Sequence, residues 1–122
     1  MADNDLKVIV KAKELMAHSL KISSNSNRFP KKFRHSLCDR IQNYSMDIYM
    51  FLVEANRTDN VRQKCERCET ITKAILRCDE LLALIEVSMT LDILNDKSAE
   101  YWSKMILDVK YMSLAWRKKE RQ

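Results

Sequence analysis

The stretch from Phe29 to Asn56, FPKKFRHSLCDRIQNYSMDIYMFLVEAN, decides the fold. Leu37, Ile41, Tyr44, Ile48, Phe51 and Ala55 recur in it at alternating steps of four and three. That spacing lines the six side chains along one face of an α-helix, and an apolar face of that length has to be buried against other elements. Lys31, Lys32, Arg34, His35 and Arg40 surround the stripe, so the same stretch combines a core-forming helix with a positive surface.

Composition points the same way. The chain has 122 residues, no glycine and a single proline, Pro30. Sheets rely on glycine for tight turns with positive φ, so its absence argues for helices joined by short polar connections. A length of 122 suits one domain with one core. The expected fold class is therefore all-α, an antiparallel up-down four-helix bundle occupying residues 1–122.

The first helix is expected over Leu6 to Ile22, with Leu6, Val8, Ile9, Val10, Ala12, Leu15, Met16, Leu20 and Ile22 on a broad apolar face. The run Ser23-Ser24-Asn25-Ser26-Asn27 competes with helical hydrogen bonding and breaks it. Pro30 suits a first helical turn, where no intrahelical N–H bond is lost, and a turn at Phe29 to Phe33 leads into a second helix ending near Asn56. After the short connection Asn56 to Asn60, a third helix is expected from Val61 to about Met89. Its seam is Val61, Cys65, Cys68, Ile71, Ile75, Cys78, Leu82, Ile85 and Met89, widened by Leu76, Leu81 and Leu84. Asn95-Asp96-Lys97-Ser98 marks the next break, with Asp96 or Ser98 as the expected cap. The last helix carries Trp102, Met105, Val109, Met112 and Trp116 and ends in Arg117-Lys118-Lys119-Glu120-Arg121-Gln122, where cations suit the negative end of the helix dipole. Helices of roughly 17 to 30 residues at 1.5 Å per residue make a bundle about 25 to 45 Å long.

The chemical motifs are few. Cys65-Glu66-Arg67-Cys68 has the C-x-x-C spacing of zinc and redox sites, but zinc needs four converging ligands, and the pair falls inside a helical seam. All four cysteines, Cys38, Cys65, Cys68 and Cys78, are read as reduced residues placed by packing. His18 and His35 have no partner suggesting general-base work, and neither follows a Glu at the three-residue spacing of di-iron bundles. A phosphate-binding glycine loop is excluded by composition. Trp102 and Trp116 could stack on bases but sit on the apolar stripe, where burial is the stronger use. The expected protein is not an enzyme and uses no cofactor and no metal.

Net charge is +5, with pI near 9.1. This balance is compatible with nucleic acid or another acidic partner. The start MADNDLK has no basic segment followed by an apolar run, and no apolar segment is long enough to span a bilayer, so the expected location is cytoplasmic.

Phe29-Pro30-Lys31-Lys32-Phe33, Leu37-Cys38-Asp39-Arg40-Ile41-Gln42 and Glu54-Ala55-Asn56 resemble the second helix of a four-helix-bundle family. That family comprises the accessory variability proteins of diversity-generating retroelements and, more distantly, proteins encoded in 23S ribosomal-RNA intervening sequences. The resemblance continues at Tyr101-Trp102-Ser103-Lys104 and Leu114-Ala115-Trp116-Arg117-Lys118. It implies a non-catalytic, basic, ring-shaped homopentamer that associates with a reverse transcriptase and with template RNA or DNA in mutagenic cDNA synthesis. The chain departs from the resembled family at Leu114-Ala115, where its members usually carry a small glycine pair before the last tryptophan. Two family arginines of the third helix fall on Leu82 and Glu86, so Lys73 and Arg77 replace only part of the usual basic patch. The candidate phosphate-binding residues are Lys31, Lys32, Arg34, Arg40, Lys73, Arg77, Arg117, Lys118 and Lys119. The alternative expectation is an orphan bundle that serves only as a protein–protein interaction module, its charge providing solubility.

Overall fold

The computed structural model of the chain describes the backbone of residues 3–59 and 61–122, and side chains from Lys7 onward with Asn60 excepted. Four helices form an antiparallel up-down bundle: α1 (Asp3–Ser24), α2 (Asp39–Arg57), α3 (Lys64–Thr90) and α4 (Asp96–Arg121). Each packs on its neighbours in chain order, and α4 returns to close the bundle against α1. Polar bonds between facing helices fix the antiparallel registers. Gln42 Nε2 donates to Ser23 Oγ at 3.0 Å across α1 and α2, and Arg77 Nε donates to Asp47 at 3.0 Å across α2 and α3. Between α3 and α4, Lys110 Nζ meets Asp79 at 2.7 Å and Arg117 Nη1 donates to Thr72 Oγ1 at 3.1 Å. Trp102 Nε1 donates to Ser19 Oγ at 3.0 Å and ties α4 to α1.

The core follows the expected stripes. Ile41, Ile48 and Ala55 of α2 are fully buried, as are Ile71, Cys78, Trp102 and Val109, and Trp116 is nearly so. Burying a large apolar side chain contributes about 1.5–3 kcal/mol relative to leaving it in water. The buried faces are wider than the seams predict: Leu52, Ala74, Ala99 and Ile106 join them, together with Ser19, Ser45, Ser88 and Ser113, whose small side chains let helices approach closely.

Four expectations about burial are corrected. Val61 is 82% exposed and Cys65 is exposed, because α3 starts only at Lys64 and its first turn lies at the bundle's end. Arg67 is buried there instead, covering Trp116. Leu76 and Val10 face outward, more than half exposed, on the outer sides of α3 and α1. The side chain of Leu6 and the residue Asn60 lie outside the described residues.

Connections also differ in detail from expectation. Ser23 and Ser24 stay in α1, donating their hydroxyls to Ser19 O and Leu20 O at 2.6 Å each, so the break begins only at Asn25. Pro30 opens a 3₁₀ turn, Lys31–Phe33, followed by a π-helical turn, Arg34–Cys38, that runs into α2. Asp59 accepts from the N–H groups of Val61 and Arg62 at 2.8 and 3.3 Å, organising the turn before α3. α4 is capped by Asn95, whose Oδ1 accepts from Ser98 N at 2.8 Å. Asn95 precedes the first helical residue and so has the extended backbone a cap needs, whereas Asp96 and Ser98 are already helical. α3 ends with Asp92 at φ 59°, where Asp92 N bonds Met89 O and Ile93 N bonds Ser88 O, both at 2.9 Å. This paired closure usually uses glycine, and a chain without glycine fills it with aspartate. Among the described residues, no helix is long and apolar enough to cross a membrane.

Candidate functional site

Up-down topology brings the α1–α2 and α3–α4 connections to the same end of the bundle, and the basic lead-in to α2 lies there. Between Arg28 and Arg40 five cations stand against one carboxylate, Asp39. The backbone of this segment is pinned from inside. Phe29 is buried, with its ring set edge-on to Trp102 at 6.3 Å and 80°, and Leu37 and Cys38 are buried immediately before α2. With those anchors fixed, the cations between and just beyond them turn outward: Lys31, Lys32, Arg34 and Arg40 are all exposed. Lys32 Nζ sits 5.3 Å from the Phe33 ring, and His35 Nδ1 is 3.7 Å from Asp39. Among the described residues, none of these four cations takes part in an ion pair. A cavity of about 300 Å³ opens beside them, lined by residues that include Ser23, Ser24, Lys31, Arg34 and Gln42. Burial pushes the Cys38 thiol in its wall upward, as does Asp39, with Arg34 opposing.

The remaining candidate residues lie elsewhere. Lys73 and Arg77 occupy the middle of α3, with Lys73 Nζ 6.0 Å from the Phe51 ring and the Arg77 guanidinium 4.9 Å from the Tyr44 ring. Arg77 is already matched by two carboxylates, Asp47 at 3.0 Å and Glu80 at 2.8 Å, so its charge serves the α2–α3 seam first. Arg117, Lys118 and Lys119 fall in the last turns of α4, at the opposite end of the bundle. A 26-residue helix is roughly 39 Å long, so the tail and the lead-in to α2 form two separate positive surfaces rather than one. Arg117 is partly buried on Thr72, whereas Lys118 and Lys119 are exposed.

Trp102 and Trp116 are core residues, and their buried rings present no face to a base. Among the described residues, no group of three or more His, Cys, Asp or Glu side chains is arranged to hold a metal ion. Reading the sequence alone did not single out a second set of residues at the α2 lead-in end: His18 and Lys21 of α1, Arg28, and Lys97 with Tyr101 of α4 line a common cavity. The available signal was topological, because an up-down bundle places both of these connections at one end. Burial, then the charge of Arg28, lowers the His18 pKa below its ordinary 6.5.

Compared with protein-family models, with curated proteins and with solved structures, the chain matches none. The retroelement resemblance thus rests on the residues quoted for it above.

Proposed function

We propose that this chain is a non-catalytic accessory protein of the diversity-generating retroelement type, a basic oligomeric platform that binds template RNA, or its cDNA, together with a reverse transcriptase. The observation that carries the nucleic-acid part is the exposed, unmatched cluster Lys31, Lys32, Arg34 and Arg40 on a backbone anchored by Phe29 and Leu37. Cations on a fixed scaffold neutralise phosphates without reading sequence, and a ring of five subunits would multiply each contact. Lys118 and Lys119 at the far end supply a second positive surface, so a strand could be engaged at both ends of the bundle. Exposed Met46 and Met50 of α2 and Leu76 of α3 offer apolar area on the bundle's sides for contact with other subunits or with the polymerase.

The test is a gel shift with retroelement template RNA across a salt series, alongside light scattering of the protein. Binding that falls steeply with salt is the expected result, from a particle several times the 14.4 kDa chain mass. Absence of RNA binding even at low salt refutes the nucleic-acid role and leaves the protein–protein interaction module. A monomer refutes the ring. A reverse-transcriptase gene with paired variable and template repeats beside the coding sequence is the expected genomic setting.

A further inference from the structure

We propose that the cavity between the end of α1 and the start of α4 is a binding site for a nucleoside monophosphate, its phosphate held by Lys21, Arg28 and Lys97 and its base laid on Tyr101. The proposal does not depend on the RNA-platform reading, whose cations Lys31 and Arg34 line a different cavity.

The cavity measures about 510 Å³, inside the roughly 300–1,000 Å³ range of small-molecule sites. Its three cations come from three segments: Lys21 from the last turn of α1, Arg28 from the connection to α2, and Lys97 from the first turn of α4. Among the described residues no carboxylate lines it, although the chain carries 17 acidic residues. Among the described residues none of the three cations is ion-paired, so their mutual repulsion is relieved only by water, salt or a bound anion. The Arg28 guanidinium is held in place by a bond from Nη1 to Ser98 Oγ at 3.2 Å, which leaves further N–H groups of its planar fork for phosphate oxygens.

The rest of the wall indicates what the anion is attached to. Ile22, Tyr101 and His18 give it apolar and aromatic surface, far more than an inorganic ion could cover. Tyr101 is 61% exposed, and its ring is steadied by the His18 imidazole set edge-on at 5.4 Å and 62°. His18 is in turn braced on Trp102 at 5.6 Å and 81°. An exposed aromatic ring on a rigid support is the platform on which bases stack. The His18 ring also lines the cavity, and its Nε2, buried beneath the surface, has no hydrogen-bond partner among the described residues. A phosphate and a planar ring on one small molecule match the two halves of the site.

The same chemistry is offered by a free mononucleotide and by the 5′-phosphorylated end of a strand. Protein labelled for NMR would be titrated with AMP, inorganic phosphate, adenosine, and a trinucleotide with or without its 5′-phosphate. The expected result is that AMP shifts the His18 and Tyr101 rings and binds roughly tenfold or more tightly than phosphate or adenosine alone. The double variant K21E/K97E, altered at two exposed positions, should lose that affinity by a similar factor while its thermal melting stays unchanged. Phosphorylated trinucleotide binding as well as AMP assigns the site to strand ends, and weaker binding assigns it to free nucleotides. The proposal is overturned if millimolar AMP leaves His18 and Tyr101 unshifted, if K21E/K97E binds AMP like the parent, or if the shifts fall only on Lys31 to Arg40.

Discussion

The Arg67 guanidinium lies 5.1 Å from the centroid of the Trp116 ring, buried at the end of the bundle where α3 starts and α4 finishes. Its Nη1 donates to Thr58 O at 3.3 Å and its Nη2 is 3.7 Å from Glu120, which also accepts from Trp116 Nε1 at 3.1 Å. One cation thus ties three segments together. Truncation by Arg67→Ala would remove the ring contact and leave Glu120 nearly buried without its countercharge, a loss of about 3 kcal/mol. Urea denaturation should show a lower midpoint with an unchanged slope. Adding Glu120→Gln to Arg67→Met should recover most of that loss, and a double variant as unstable as Arg67→Ala would show that the guanidinium's contacts with Trp116 and Thr58, not the unpaired charge of Glu120, account for it.

Asp92 occupies the left-handed position that closes α3, and an L-residue there is held against a steric cost that glycine does not bear. Asp92→Gly is expected to stabilise the fold by about 0.5 kcal/mol, because relief of that cost outweighs the added freedom of the unfolded chain. Asp92→Val should destabilise it by 1 kcal/mol or so, since a β-branched side chain tolerates positive φ least. Equal midpoints for all three proteins would contradict this account of the turn.

The cysteines should separate by reactivity. Cys65 is exposed in the first turn of α3, whereas Cys38, Cys68 and Cys78 are buried. Burial, reinforced by Asp79, pushes the Cys78 thiol up to about 12, so thiolate is negligible there at neutral pH. A thiol reagent on the native protein should therefore modify one cysteine rapidly, identified as Cys65 by peptide mapping, with the other three reacting only after denaturant is added. Rapid labelling of Cys78 in the native protein would mean that the bundle opens far more often than its packing implies.

His18 gives the fold a pH dependence of known sign. Burial first, and Arg28 second, hold its folded pKa below the ordinary 6.5, so the folded state prefers the neutral ring. The unfolded chain then binds the extra proton, which makes this contribution to stability complete above pH 6.5 and progressively lost as pH falls through the lowered folded value. Arg28→Gln removes the second cause but not the first, and should move the His18 titration, followed by its ring proton shifts, part of the way back toward 6.5. A titration that does not move would assign the whole effect to burial.

The helices were legible in the sequence because heptad-like spacing, a proline and polar breaks are local signals. Ile41, Ile48, Ile71, Trp102 and Val109 are buried as their spacing predicts. The seam failed at Cys65 and Val61 because periodicity cannot tell where neighbouring helices stop, and a stripe beyond that point has nothing to cover it. Burial of Arg67 was illegible for the opposite reason: a charged residue enters the core only with partners such as Trp116 and Glu120, which lie about fifty residues away in the chain. Among the candidate cations, exposure of Lys31 to Arg40 could be anticipated from their spacing around the stripe. The matching of Arg77 by Asp47 depends on the register between α2 and α3, which no local pattern encodes.

The separation of the two basic surfaces makes their contributions to RNA binding distinguishable. Each phosphate neutralised on a single strand adds about 0.7 to the slope of log affinity against log salt, so Lys31→Gln, Lys32→Gln and Arg34→Gln together should lower that slope by about 2 per engaged subunit. Reversing the same three charges to Glu should abolish the complex at moderate salt. Lys118→Gln with Lys119→Gln should lower the slope by no more than about 1.4 on the same reckoning. Arg77→Gln is expected to leave it unchanged, because Asp47 and Glu80 already balance that charge, and to show instead as a small loss of stability at the α2–α3 seam. Fluorescence anisotropy of a labelled template RNA over a salt series measures all of these. RNA binding that survives the triple reversal, with its slope intact, would move the phosphate contacts away from the lead-in to α2 and onto the tail of α4.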